Sequence, residues 1–225
     1  MPVSECNKLP RTLLLDLDGT LVDSVPDLQA ALNRLLATRR LAPLSRAEVA
    51  SMVGDGVAPL VERAFAARGA TADSVAVAAF LADYGAHAAS ATRPYPAVER
   101  TLRGMAADGW RFAVCTNKPE AVARALLSAL GLADLFAAIG GGDSFPTRKP
   151  DPAHLLATLR AADGRPDRAV AVGDHANDVL AANGAGLPCI FAGWGYGQVS
   201  AAAHAAAIAN GFGEVRPIAD RLLPA

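Results

Sequence analysis

Hydrophobic and polar positions follow two periods along this chain, one typical of buried strands and one typical of helices. Four short apolar runs are bounded by glycine, proline or polar residues, as in strands that are buried on both faces. They are Leu13–Leu15, Arg111–Cys115, Ala169–Val172 and Pro188–Phe191, with a weaker run at Ala137–Ile139. From residue 95 onward, segments of helical period separate the runs. This order predicts right-handed crossovers and a three-layer α/β/α fold around a parallel sheet.

Between the first strand and residue 91 the pattern is helical throughout. Ser24–Asp27 has the composition of a helix start, and Ser45–Glu48 matches a capping box. The second helix breaks at Gly54–Gly56, and Arg93–Pro96 ends the region. Four helical patterns without a strand predict a compact all-α insertion. We therefore place a helical domain at residues 24–90 and an α/β core domain at residues 1–23 and 91–225.

Composition excludes several classes of protein. The 225 residues carry a formal net charge of −1, which does not favour a nucleic-acid partner. No apolar run approaches the roughly 20 residues of a membrane span. The N-terminus lacks the charged-then-apolar pattern of a signal peptide, so we expect a cytoplasmic protein without a membrane partner. Cys6, Cys115 and Cys189 show no Cys-x-x-Cys spacing, which predicts reduced thiols.

Polar residues gather at the carboxyl ends of the predicted strands, where ligands bind in a Rossmann-like sheet. The first strand ends in Asp16 and Asp18, two carboxylates that would repel each other unless a cation lay between them. This pair indicates a divalent metal site with an acidic residue beside it. The later strand ends and loops supply Thr116, Asn117, Lys149, Asp174 and Asp178.

Four of these later residues also have a structural interpretation. Thr116 fits a helix cap, and Lys149 fits a solvated surface lysine. Asp174 and Asp178 fit the acidic N-terminus of a helix. Their coincidence at successive strand ends is better explained by one shared anionic site.

The order D-x-D-G-T, T-N, K-P and G-D-x-x-x-D resembles the phosphatases of the haloacid dehalogenase superfamily. The resemblance covers nearly the whole chain, and the helical insertion stands where the C1-type cap of that family lies. L-V-D-S-V-P-D, M-V-G-D-G, R-P-Y-P and G-W-G-Y-G look more narrowly like the phosphoglycolate phosphatase branch. The resemblance implies a Mg²⁺-dependent hydrolase of small phosphorylated metabolites, working as a monomer or homodimer.

The resemblance also implies roles for the carboxylates. Asp16 would attack phosphorus and form an aspartyl-phosphate. Asp18 would protonate the leaving alcohol and later take a proton from the attacking water. Mg²⁺ would lie between Asp16, the main-chain carbonyl of Asp18 and Asp174. Asp178 would hold metal-bound water from farther out.

The remaining strand-end residues are assigned to the phosphoryl group by the same resemblance. Thr116 and Asn117 would hydrogen-bond its oxygens, and Lys149 would neutralise charge on phosphate and nucleophile. His175 departs from the pattern of many relatives, which carry a small polar residue there. We expect His175 to cap the following helix rather than to touch the phosphate.

The resemblance further implies that the loop Gly54, Asp55 and Gly56 reaches over the active site and helps to select the leaving group. Its glycines allow close backbone approach. Asp55 would repel the carboxylate of phosphoglycolate unless it turned away. Arg63 on the next helix offers a compensating cation, although a solvated helix-face arginine is the stronger expectation.

Two readings from other classes stay open at this stage. A phosphomutase similar to β-phosphoglucomutase would use the same aspartyl-phosphate but return the phosphoryl group to a sugar phosphate. A non-enzymatic phospho-aspartate receiver also combines Asp, Thr and Lys at strand ends, but it needs neither the Asp16–Asp18 pair nor a cap. A dehalogenase is disfavoured because Asp18 would have no alcohol to protonate.

Overall fold

A computed structural model describes residues 10–224 and contains a six-stranded parallel sheet in the order β5-β4-β1-β6-β7-β8. A separate antiparallel ladder joins β2 to β3. The strands are β1 (Thr12–Leu15), β2 (Val22–Asp23), β3 (Arg93–Pro94), β4 (Arg111–Cys115), β5 (Ala138–Gly140), β6 (Ala169–Gly173), β7 (Cys189–Ala192) and β8 (Ala207–Ala209). The strand that the sequence places first is therefore central, with a parallel neighbour on each side.

Helices surround this sheet and fill the segment between β2 and β3. They are α1 (Val25–Thr38), α2 (Arg46–Ala50), α3 (Val57–Ala66), α4 (Ser74–His87), α5 (Val98–Ala107), α6 (Glu120–Ala129), α7 (Pro152–Ala161), α8 (Ala176–Gly184) and α9 (Val215–Leu222). No helix within residues 10–224 is long and apolar enough to cross a membrane.

The three layers follow from the alternation of side chains along β1. Leu13 and Leu15 belong to a buried cluster that includes Leu102 of α5, Leu126 of α6 and Ile218 of α9. Leu14 belongs to a second cluster with α7 and α8 on the opposite face, since successive strand residues point to opposite sides. The predicted α/β fold with helices on both faces of a parallel sheet is confirmed.

Helices α1–α4 have a hydrophobic cluster of their own, which includes Leu32, Phe65 and Phe80. The chain enters and leaves this helical segment through the β2–β3 ladder, where Val22 pairs with Pro94. The separate cluster supports the predicted division at residues 24–90, which stays a prediction.

Local signals explain how α2 starts. Ser45 Oγ accepts a hydrogen bond from the Glu48 N–H, and the Ser45 N–H donates to Glu48 Oε2 over 2.8 Å. This is the capping box that the sequence indicates. Cys115 and Cys189 are buried free thiols, as expected, whereas Cys6 lies outside the described residues.

Candidate active site

The ends of the central strands bring the first group of candidate residues to one edge of the sheet. The Asp16 N–H donates to Val172 O of β6, and the Thr116 N–H donates to Gly140 O of β5, each over 2.9 Å. Strand pairing thus continues to the residues that carry the polar side chains. Lys149 comes from the loop after β5 and reaches the same edge.

Lys149 connects two carboxylates in the interior. Its Nζ lies 2.8 Å from Asp16 Oδ1 and 2.6 Å from Asp178 Oδ1. All three residues are buried. Desolvation raises the pKa of Asp16 above its ordinary value, although Lys149 opposes this effect. Burial by itself would lower the Lys149 pKa, but the two carboxylates outweigh it and raise that pKa, so the ammonium stays charged.

Asp174 is completely buried and held by several donors. Thr20 Oγ1 donates to its Oδ1 over 3.1 Å, and the Tyr196 N–H donates to its Oδ2 over 2.7 Å. Gly19 passes close by with a φ of +86°, and a Cβ there would lie 2.3 Å from Asp174 Oδ2. Glycine at this position therefore serves both the left-handed backbone and the close approach.

The carboxylates form a cluster with the donors of a metal site. Ligand atoms of Asp16, Asp174, His175 and Asp178 lie within 4.8 Å of one another. Carboxylate oxygens suit Mg²⁺, and a cation would offset the repulsion that accompanies their burial. The residues present therefore fit a divalent metal.

His175 is placed at the start of α8. Its backbone N–H donates to Asp178 Oδ2 over 3.0 Å, and its Nδ1 lies 3.1 Å from Asp174 Oδ1. Burial disfavours the charged imidazolium, but contact with Asp174 dominates and raises the pKa of His175 to about 9. His175 therefore occupies the N-cap position of α8, as expected, and its ring faces Asp174, a candidate metal ligand.

Asp18 has a partner that the sequence reasoning missed. Lys118 Nζ lies 2.7 Å from Asp18 Oδ2 and 3.0 Å from Oδ1. The same ammonium lies 4.7 Å from the centre of the Tyr84 ring, which belongs to α4. Lys118 stands directly after the T-N motif, so its position in the sequence was the available signal.

Thr116 and Asn117 occupy the turn between β4 and α6. Thr116 Oγ1 accepts a hydrogen bond from the Lys118 N–H over 3.2 Å. Asn117 Nδ2 donates to the carbonyl oxygens of Gly54 and Lys149, each over 3.0 Å. Asn117 therefore ties the loop between α2 and α3 to the core.

A cavity opens between the strand ends and helices α1, α3 and α4. Its lining includes Asp16, Asp18, Leu28, Val53, Gly54, Gly56, Val57, Leu60, Tyr84, Thr116, Asn117 and Lys118. Asp55 turns instead toward Arg63, which pairs with it, and toward Asn177 Nδ2 at 2.6 Å. Gly54 and Gly56 thus reach the cavity, while the charge of Asp55 is directed into a neighbouring cleft.

Comparison with known proteins places the chain in a family. Residues 10–186 match the model of the haloacid dehalogenase-like hydrolases. The chain therefore belongs to the haloacid dehalogenase-like hydrolase family. The match covers both the strand-end residues and the helical segment between β2 and β3.

The relatives define its class more closely. The phosphoglycolate phosphatase of Rhodospirillum rubrum is 46% identical over 198 residues, covering 84% of this chain and 82% of the relative. A crystal structure of a predicted phosphoglycolate phosphatase from Haemophilus somnus has a TM-score of 0.86 at 30% identity, covering 94% and 99% of the two chains. CbbY from Rhodobacter sphaeroides, solved in complex with phosphate, has a TM-score of 0.79 at 26% identity, covering 92% and 96%. These likenesses confirm the predicted enzyme class, a phosphoglycolate phosphatase-like hydrolase of phosphoric monoesters.

Proposed function

We propose that this protein is a Mg²⁺-dependent phosphatase that hydrolyses a small phosphate monoester through an aspartyl-phosphate on Asp16. The arrangement that carries the proposal is the buried Asp16 carboxylate, held by Lys149 beside Asp174 and Asp178. A carboxylate fixed in this way, at the floor of a cavity, is positioned for attack on phosphorus.

In the first half of the reaction, an Asp16 oxygen forms a bond to phosphorus while the bond from phosphorus to the ester oxygen breaks. Asp18 lines the same cavity and gives a proton to the departing alcohol. Water then attacks the aspartyl-phosphate, and Asp18 takes the proton from that water. The bond from phosphorus to the Asp16 oxygen breaks as phosphate leaves, so Asp16 is again a free carboxylate and Asp18 again carries a proton in place of the one that it gave to the alcohol.

Lys149 opposes the negative charge on Asp16 and on the phosphoryl group throughout this sequence. Mg²⁺ would be held by Asp16, Asp174 and the main-chain carbonyl of Asp18, with Asp178 nearby. When bound, it reduces the repulsion between the attacking carboxylate and a phosphate dianion. Phosphate monoesters hydrolyse so slowly unaided that accelerations of up to ~10²¹ are needed, which requires these groups to act together.

Residues 24–90 are proposed to act as the cap of this site, and residues 1–23 and 91–225 as its core. The cavity supports this division because its lining comes from both parts. Asn117 adds support, since it donates to Gly54 O across the same boundary. The substrate favoured by the names of the relatives is phosphoglycolate, with sugar phosphates second.

The test is phosphate release from phosphoglycolate, ethyl phosphate and glucose 6-phosphate, with Mg²⁺ and with a chelator. We expect metal-dependent turnover that Asp16→Asn abolishes. Asp167→Asn is the matched control, because its exposed carboxylate pairs with Arg165 at the surface. No release from any ester by the folded protein would contradict the proposal. Release that requires an added sugar bisphosphate would move the assignment to a phosphomutase.

A further inference from the structure

Lys118 and Tyr84 contact each other in the wall of the active-site cavity. Lys118 follows β4 in the core, and Tyr84 lies on α4. The two side chains are 4% and 1% exposed, yet both line the cavity that holds Asp16 and Asp18. This pair stands beside the reacting carboxylates without a role in the steps described above.

The Lys118 ammonium and the Tyr84 hydroxyl can still donate hydrogen bonds to a ligand. A lysine ammonium has three N–H donors, and two oxygens of Asp18 take up two of them. The Tyr84 hydroxyl is buried beside this ammonium, and no acceptor within residues 10–224 takes its proton. Burial raises the pKa of Tyr84 to about 12, so the hydroxyl keeps its proton at neutral pH. An unmet buried hydroxyl is costly, and an acceptor on a ligand would satisfy it.

The other walls of the cavity restrict what that ligand group can be. Leu28, Val53, Val57 and Leu60 line it from α1, α3 and the loop before α3. A sugar would place several hydroxyl groups against these side chains without partners, which is unfavourable. A small anionic group that accepts hydrogen bonds from Lys118 and Tyr84 leaves no such groups unpaired.

We propose that Lys118 and Tyr84 form a receptor for a carboxylate on the leaving group, which selects phosphate esters of small hydroxy acids. The inference rests on the proposed phosphatase function and names the residues that read the part of the substrate that is not transferred. It also accounts for the direction of Asp55, whose charge is paired with Arg63 instead of facing the cavity.

The receptor bridges two parts of the chain. A carboxylate held by Lys118 and Tyr84 touches the loop after β4 and helix α4 at once. An uncharged leaving group of the same size makes neither contact. The preference of the enzyme for a charged over an uncharged ester therefore reports directly on carboxylate binding by Lys118 and Tyr84.

The decisive comparison uses phosphoglycolate and ethyl phosphate, which differ by a carboxylate in place of a methyl group. In the wild type we expect kcat/KM to favour phosphoglycolate. Tyr84→Phe keeps the ring over Lys118 and removes only the hydroxyl, and we expect it to reduce that preference about tenfold. Lys118→Met is expected to reduce it by about 10²-fold or more, because it removes a charge-assisted contact.

Lys118 also holds Asp18, so its replacement lowers turnover of both esters. That common loss cancels in the ratio of the two kcat/KM values, which is why the ratio is the readout. Tyr95→Phe is the matched control, because it makes the same chemical change in a tyrosine that packs against Trp194 in the core. We expect the ratio to be unchanged in this variant.

Either of two kinetic results would overturn the receptor. One is a wild type that does not prefer phosphoglycolate, and the other is a Lys118→Met variant that loses the same factor on both esters. Calorimetric binding of both esters to Asp16→Asn makes the test independent of turnover. A binding preference for phosphoglycolate that Tyr84→Phe weakens supports the receptor even if no ester is hydrolysed, and equal binding overturns it.

Discussion

The ammonium of Lys149 lies 2.8 Å from Oδ1 of Asp16, and both side chains are almost completely enclosed by protein. Asp178 completes the arrangement on the other side of the ammonium. Two carboxylates depend on one cation, so its removal leaves charges that water cannot reach.

Lys149→Met is therefore expected to reduce turnover by about 10²- to 10³-fold. Without Mg²⁺ it is also expected to lower the free energy of unfolding by about 3 kcal/mol. Added Mg²⁺ should recover part of this stability but little of the activity, since the metal does not replace the ammonium. Phosphate release and urea unfolding with and without metal measure both effects. Lys149→Arg is the control, because it keeps the positive charge. It should retain a larger fraction of the wild-type unfolding free energy than of the wild-type turnover. Full activity in Lys149→Met would contradict the assigned role.

Gly19 is predicted to be essential because of Asp174. Gly19→Ala would place a methyl group where Asp174 Oδ2 now lies, at a φ of +86°. We expect turnover to fall by about 10²-fold or more, since displacement of Asp174, a proposed metal ligand, would disturb the whole site. Mg²⁺ titration by calorimetry should show weaker binding.

Gly69→Ala is the matched control for that substitution. Gly69 has a φ of +69°, and, apart from its chain neighbours, no heavy atom of residues 10–224 lies within 4 Å of a Cβ built there. Gly69→Ala should therefore lower the free energy of unfolding by about 1 kcal/mol, through backbone strain alone, and should leave turnover unchanged. Equal losses of activity in the two variants would show that the contact with Asp174 is unimportant.

The entry of the helical segment is predicted to depend on Asp27. Its carboxylate accepts hydrogen bonds from the Ala91 N–H, the Thr92 N–H and Thr92 Oγ1, over 2.7 to 2.9 Å. Asp27→Asn turns an amide donor toward these donors, so we expect a loss of about 2 kcal/mol in unfolding free energy by urea titration. Asp73→Asn is the control, because Asp73 is a helix cap near solvent and asparagine caps equally well. Similar losses in both variants would refute this account.

Stability below neutral pH is predicted to depend on His154. Its Nδ1 accepts a hydrogen bond from the Lys149 N–H over 3.2 Å. Burial, with help from the charge of Lys149, lowers the pKa of His154 to about 4. The unfolded chain takes up this proton near pH 6.5 and the folded protein near pH 4, so this residue makes unfolding easier as pH falls through that window. The slope is up to about 1.4 kcal/mol per pH unit.

The measurement is urea unfolding of wild type and His154→Gln at several values between pH 7 and pH 4.5. We expect the wild type to lose more stability over this range than the variant. His87→Gln, at an exposed position on α4, is the control and should keep the wild-type slope. Identical slopes for wild type and His154→Gln would rule out a protonation linked to this residue.

Strand-end reasoning located the buried cluster because its signals are local. An apolar run followed by Asp16 or Asp174 marks a parallel strand and its functional end in the same few residues. The register of the sheet then brings those ends together without further information from the sequence. The weak apolar run at Ala137–Ile139 was enough to predict β5, because pairing with the neighbouring strand β4 fixes the position of β5 in the sheet.

Contacts across the cavity were beyond that reasoning. Lys118 and Asp18 are 100 positions apart, and the letters T-N-K-P indicate only a turn before a helix. The partner of Asp55 likewise depends on how the loop after Met52 turns, because Arg63 also donates to Met52 O. The β2–β3 ladder has only two residues in each strand, and Pro94 is one of those in β3. Such short strands show no alternation of apolar and polar positions, so the sequence does not reveal them.

That short ladder has a consequence for how such chains diversify. Val22 and Asp23 face Pro94 and Arg93, so the two ends of the helical segment emerge side by side above the central strand. A segment anchored at adjacent points can be lengthened, trimmed or exchanged while the six parallel strands keep their register. Under the proposed function, substrate contacts that this segment supplies, such as that of Tyr84, can therefore change while Asp16, Lys149 and Asp174 are inherited unchanged.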